Sequence, residues 1–127
     1  MTKKTEKTMM SDTIRLFISI PMSGRSEKEI LEQMDREENR AMAYFAKRGI
    51  NIVMYNSYIN QDYVDEVQFR NNDVYMLSKS IEVLAYADTI WMGEGWQKSR
   101  GCQVEHKIAT EYYLGKYYSE LVREELC

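Results

Sequence analysis

Residues 14–20 read IRLFISI, a near-continuous apolar run rich in β-branched side chains. A strand that shows one face to water alternates apolar with polar residues, whereas a run of this kind suits a strand covered on both faces. Covering both faces takes helices packed above and below the sheet, so the chain is held to a layered α/β arrangement. Two further runs fit the same role, INIVMY at 50–55 as a second buried strand and TIWMG at 89–93 as a third. Ser26 followed by Glu29 is a capping box, and a helix runs from there to about Arg48. Its apolar residues Ile30, Met34, Ala41 and Phe45 share one face, and Gly49 is a natural stop. A second helix starts near Asn72 or Asp73, with Val74, Leu77, Ile81 and Leu84 as its buried stripe. A third runs from about Arg100 to Tyr113; LGKYYSEL then holds a short fourth strand, and the last residues finish as helix. Residues 56–70 show no clean period, and a connection of that length suits a functional loop or a short helix.

Strands and helices alternate, which predicts a parallel sheet with helices on both faces. Sheets of this kind bind ligands beyond the carboxyl ends of their strands. Three segments leave those ends: PMSGR at 21–25, the 56–70 stretch, and GEGWQKSR at 93–100. Asp88 begins the third strand and so belongs to the opposite edge, as a structural residue.

Composition narrows the partners. A chain of 127 residues suits one domain, placed at 13–127, with the charged stretch 1–12 as a frayed tail. A net charge of −3 argues against binding a nucleic acid polymer through a basic surface. No apolar run approaches the roughly 20 residues of a membrane-spanning helix, and the first dozen residues lack the apolar core of a signal peptide. The two cysteines, Cys102 and Cys127, read as reduced thiols in a cytoplasmic protein. Ten tyrosines suit ligand walls and interfaces, and equally packing inside the domain.

The segment GEGWQKSRGCQVEHKIA, residues 93–109, carries the candidate chemistry. Ser99 is placed as the N-cap of the third helix, and Gly101 lets a ligand approach the backbone. The free amides of that first turn, with Arg100, suit an anion or a phosphate; the plainer reading is a cap beside a solvated arginine. Glu105 shares a helical face with Gly101, Ile108 and Tyr112 and adjoins Val104, so it points inward. An inward acid is costly unless it is paired or opens to a pocket, which leaves a nucleophile or base, or a bridged structural carboxylate. Cys102 and His106 lie one turn apart, but zinc wants three or four protein ligands and no further partner is at hand, so no metal is expected. Gly93 and Gly95 form a G-x-G, yet Lys98 occupies the third glycine position of a dinucleotide fingerprint, and no Walker A motif occurs. No cofactor is expected. Trp96 can stack on a base or sugar, or cap the core.

FISIPMSGR, then AD-T-IWM before a loop, then GWQKSRGCQVEHKIA together resemble the nucleoside 2-deoxyribosyltransferase-like superfamily over about residues 14 to 115. The likeness is greatest to its small phage and bacterial domains of unknown function, which share G-P-M-x-G and G-W-x-x-S-x-G-x-x-x-E elements and are related to the deoxynucleoside 5′-monophosphate N-glycosidases. The resemblance implies a nucleophile at Glu105 and a 5′-phosphate site at Ser99, with Arg100 and Gly101 beside it. It implies nucleotide contacts from Pro21, Met22, Ser23, Gly24 and Arg25, to which Gly95 and Trp96 of the second motif are added. Two positions depart from the pattern: Ile20 replaces the glycine before the proline, narrowing the pocket, and Ser80 replaces the catalytic aspartate. A hydroxyl does not replace a carboxyl as an acid near neutral pH, and Glu94 is the alternative proton source. Pattern and resemblance lead to a Rossmann/flavodoxin-like three-layer α/β/α sandwich with a mostly parallel sheet of four to five strands. The expected partner is a small-molecule nucleoside or nucleotide, whose N-glycosidic bond is cleaved or transferred; the chain is expected to form a homo-oligomer. The alternatives are an inactive nucleotide-binding or sequestering protein, phage-encoded, and an interaction protein built on its tyrosines.

Overall fold

A computed structural model describes residues 13–58 and 71–126. The charged stretch 1–12, most of the 56–70 connection and Cys127 lie outside the described residues. In chain order the elements are β1 (Thr13–Ser19), α1 (Glu27–Lys47), β2 (Asn51–Asn56), α2 (Asn72–Leu84), β3 (Thr89–Met92), a 3₁₀ turn (Trp96–Lys98), α3 (Arg100–Glu111), β4 (Gly115–Tyr118) and α4 (Ser119–Leu126). The four strands form one sheet in the order β2-β1-β3-β4, and every pairing is parallel.

The apolar run in β1 explains its central place. Leu16, Phe17 and Ile18 have no exposed surface, and their side chains alternate between the two faces. Leu16 and Ile18 join Met34, Ala41 and Phe45 of α1, Trp91 of β3 and Val122 of α4 in one core layer. Phe17 joins Ile90 and Met92 of β3, Leu84 at the end of α2, and Cys102 and Ala109 of α3 in the other. The result is a three-layer α/β/α arrangement with α1 and α4 on one face and α2 and α3 on the other. The strand order is the flavodoxin-like one, in which a crevice opens where the order reverses between β1 and β3.

Local signals set the ends of the elements. Ser26 and Glu29 form the capping box at the start of α1, and those hydrogen bonds to the Glu29 carboxylate hold its pKa below the ordinary value. Gly49 takes φ +69° just past the helix, a conformation that suits a residue without Cβ. At the amino edge of the sheet, Asp88 Oδ1 accepts hydrogen bonds from the Arg15 amide (3.1 Å) and the Thr89 hydroxyl (2.8 Å), tying β1 to the start of β3.

Three expectations about burial are corrected. The second strand is an edge strand, not a fully buried one, and Val53 remains 45% exposed, with no strand beyond β2 among the described residues. On α2 the buried residues are Ser80 and Leu84, while Val74 is 60% exposed at the open end of the helix. On α3 the buried face is Cys102, Glu105 and Ala109, and Tyr112 is 74% exposed because the helix ends before it.

The sheet is tight where β3 gives way to its loop. A Cβ at Gly93 would stand 2.7 Å from Ile20 Cγ2, 3.0 Å from the Ser19 carbonyl oxygen and 3.2 Å from Glu37 Oε2. Two of these three neighbours are fixed by the β1 backbone and a buried carboxylate. Gly93→Ala is therefore expected to destabilise the fold by about 1–3 kcal/mol through overpacking, read from urea unfolding curves. An unchanged midpoint would show that the loop yields freely.

Candidate functional site

Ser19 is the last residue of β1, one alternation beyond Phe17, so its side chain faces the α2/α3 layer. There it meets Glu105 from α3 and Ser80 from α2. Ser19 Oγ donates to Glu105 Oε1 at 2.5 Å, and Ser80 Oγ donates to Glu105 Oε2 in a short contact. Ser80 Oγ is also 3.2 Å from the Leu77 carbonyl oxygen. Glu105 is 3% exposed, and Ser19 and Ser80 are buried with it. Burial raises the Glu105 pKa above its ordinary value of 4.5, and the hydrogen bonds from Ser19 and Ser80 oppose that rise. Cys102, one turn earlier, is buried too, and its thiol is pushed up to about 11.

This carboxylate borders a cleft of about 870 Å³ at the carboxyl edge of the sheet. The size suits a small ligand. One wall comes from the segment after β1, including Pro21, Met22, Ser23 and Arg25. Opposite stand Leu77 and Ser80 of α2, and Gly95, Ser99, Arg100 and Gly101 before and within the first turn of α3. Ser99 caps α3 by accepting the Cys102 amide at 3.3 Å. The amides of Arg100 and Gly101 fall in the first turn, where an α-helix supplies no internal acceptor. The helix dipole and the Arg100 guanidinium add positive potential at the same place. Lys98 lies on the same rim, while Glu27 and Asp73 bring negative charge to the described wall.

A second buried acid braces the site from the α1 face. Glu37, 1% exposed, accepts from Trp91 Nε1 (3.1 Å), the Glu94 amide (2.8 Å) and Gln33 Nε2 (3.3 Å), with Arg40 3.6 Å away. Gln33 Nε2 also donates to the Glu94 carbonyl (3.0 Å), and its Oε1 accepts from Arg25 (2.5 Å). Arg25 in turn donates to the Pro21 carbonyl at 2.7 Å. One network thus ties the segment after β1 to the segment after β3.

A family model described as a domain of unknown function, DUF4406, matches residues 14–116. The chain belongs to the DUF4406 family. No curated protein and no solved structure matches it. In this DUF4406 chain the matched span contains both buried acids and every cleft segment described above.

Most residues singled out from the sequence line one cleft: Pro21, Met22, Ser23, Arg25, Gly95, Ser99, Arg100, Gly101 and Glu105. Three go elsewhere. Gly24 turns the chain at φ +75° and is not among the lining residues. Trp96 packs on His106 and Tyr118, with ring centroids 4.4 and 5.8 Å away, against the second core layer. It caps the core there instead of stacking in the cleft. The Glu94 carboxylate is taken by Arg40 at 2.9 Å and by Arg123, outside the cleft lining. His106 Nε2 and the Tyr118 hydroxyl lie 2.8 Å apart, so His106 faces away from any pairing with Cys102. Among the described residues no group of three or more His, Cys, Asp or Glu could hold a metal ion, and no helix is long and apolar enough to cross a membrane.

The sequence reading overlooked Ser19, Glu37 and Gln33. A signal existed for Glu37: it follows Ile30 and Met34 and precedes Ala41 and Phe45 on the apolar face of α1.

The raised pKa of Glu105 has a thermodynamic consequence. Between its unfolded value and its higher folded value, the folded state binds more protons than the unfolded state, so stability falls as pH rises through that window. Below the unfolded value the stability is fully present, and it is lost as pH rises through the folded value. Glu105→Gln removes the ionisation, and the variant is expected to gain in Tm over the wild type as pH rises above about 4.5, levelling off at higher pH. Melting curves across pH 4 to 9 check this; a pH-independent Tm difference would contradict it.

Proposed function

We propose that this protein binds a nucleoside or nucleotide and cleaves or transfers its N-glycosidic bond, with Glu105 as the nucleophile. The reading includes the finer placement of the family within the nucleoside 2-deoxyribosyltransferase-like superfamily, and a homo-oligomeric assembly. The observation that carries it is the position of the Glu105 carboxylate: buried, held by a hydroxyl on each oxygen, and bordering a cleft one turn inside the amide end of α3. Held this way, a carboxylate is aimed at one point and cannot swing into solvent. It attacks the anomeric carbon, the base departs, and water or a second base resolves the sugar ester. The 5′-phosphate sits on the Arg100 and Gly101 amides beside Ser99, with the Arg100 side chain adding a charge-assisted contact.

Glu105→Ala is expected to lower release of free base from deoxynucleoside monophosphates by about a thousandfold or more, measured by chromatography, with circular dichroism confirming the fold. Wild-type protein that releases no base from any of the four deoxynucleoside monophosphates, nor from nucleotides with a quaternised base, would rule out the enzymatic reading. The phosphate assignment is checked by calorimetry: Arg100→Ala is expected to weaken a monophosphate by about tenfold and leave the matching nucleoside unchanged. Equal losses for both ligands would remove Arg100 from the phosphate site.

A second reading is favoured by Ser80, whose hydroxyl is engaged with Glu105 where the resembling enzymes carry an acid. On that reading the cleft binds a nucleotide without cleaving it. A nucleotide that raises Tm while no base is released in the same assay would support this reading over the first.

A further inference from the structure

We infer that the cleft takes nucleotides with a cationic, quaternised base, which leaves as a neutral molecule and needs no proton. The inference rests on the proposed role of Glu105 as nucleophile and adds the substrate class. A neutral base leaves with negative charge building on its ring nitrogen unless a nearby acid protonates it, a contribution of about 10²–10⁴-fold. Ser80 lines the cleft beside Glu105, and its hydroxyl faces Glu105 Oε2. Ser19 donates to the other oxygen at 2.5 Å, so both groups nearest the carboxylate are alcohols.

The other protonated groups on the described wall do not fill the gap. Arg25 and Arg100 bring guanidinium groups, which serve as hydrogen-bond donors and not as general acids. The Cys102 thiol is buried with a pKa of about 11. Lys98 adjoins the Ser99 cap, on the side assigned to phosphate. Of the carboxyls, Glu27 accepts the Tyr58 hydroxyl at 2.5 Å, and Asp73 lies in the first turn of α2. Two anionic carboxylates on the wall repel a base that leaves as an anion and attract one that arrives as a cation. A cation beside Glu105 also favours its ionised form, offsetting the burial that raises its pKa.

The step balances without an acid. Glu105 Oε bonds to C1′ as the C1′–N bond breaks, and the electron pair passes to the ring nitrogen and cancels its positive charge. Water then attacks C1′, the Glu105 carboxylate is released, and one proton passes to solvent. The phosphate-binding turn of α3 and the carboxylate-bearing wall together match a ligand with an anionic tail and a cationic ring.

The test compares 7-methylguanosine 5′-monophosphate with guanosine 5′-monophosphate, and the corresponding 2′-deoxy pair, with nicotinamide mononucleotide as an unrelated cationic base. Base release is followed by chromatography, with the Glu105→Gln protein as background. The cationic member of each pair is expected to be cleaved roughly a hundredfold faster than its neutral partner, with nicotinamide also released and all release lost in Glu105→Gln. Neutral and cationic members cleaved at equal rates would overturn the substrate class and leave Glu105 as nucleophile. No cleavage of any compound, or cleavage that survives Glu105→Gln, would overturn both.

Discussion

The Glu105 carboxylate fixes the rest of the site. Placing it on the inner face of α3 removes it from water, a cost that hydrogen bonding must offset. The two hydroxyls that do so come from different elements, Ser19 from the end of β1 and Ser80 from α2. One side chain therefore couples a strand and two helices. The contact forms only because the alternation of β1 turns Ser19 toward α2 and α3, while the next residue, Ile20, joins the opposite core layer. A one-residue slip of β1 would exchange Ser19 for an apolar side chain and strand the acid.

The molecule buries a second acid, and the contrast is informative. Glu37 on the α1 face is met by an indole N–H, a backbone amide, a side-chain amide and, at 3.6 Å, the Arg40 guanidinium. Its neighbourhood is a brace: it holds Trp91 in the core and the segment after β3 in place. Among the described residues Glu105 is met by the Ser19 and Ser80 hydroxyls, and it borders the cleft. The desolvated Glu37 carboxylate is clamped by N–H donors inside the core, whereas Glu105 is clamped by alcohols on a cleft wall. A pKa raised by burial beside a cleft is a mark of functional sites, although structural ion-pair networks perturb acids as well. Here the structural network lies on the other face of the sheet.

How much of this was legible follows from how local each signal is. The capping box at Ser26 and Glu29, the stop at Gly49, the apolar run of β1 and the Ser99 cap are set by neighbours within a few residues, and each takes the form that the residues dictate. The inward aim of Glu105 was legible for the same reason. What sequence spacing does not give is lateral order. INIVMY is as apolar as an inner strand, yet β2 lies at the sheet edge because the chain crosses back over β1 to place β3. The same blindness hid Ser19, whose partner lies 86 positions away, and left Trp96 open between the cleft and the core, where His106 and Tyr118 hold it. Ser80 read as a missing acid; only the fold shows that its hydroxyl is occupied.

The parallel sheet also resolves an electrostatic conflict. Helices that follow parallel strands point their amide ends at the carboxyl edge, so α1, α2 and α3 all bring positive potential to one rim. An anionic group is welcome there, but at the same point as the Glu105 carboxylate it would be repelled. The fold separates them along α3. Arg100 and Gly101 present amides at the first turn, and Glu105 lies five residues further on, about 7 Å along the axis. The dipole fades within the first turn, so on the proposed reading a phosphate would take the strongest part of the field, with the carboxylate beyond it. Beyond the reach of the dipole, Glu105 is held by the Ser19 and Ser80 hydroxyls.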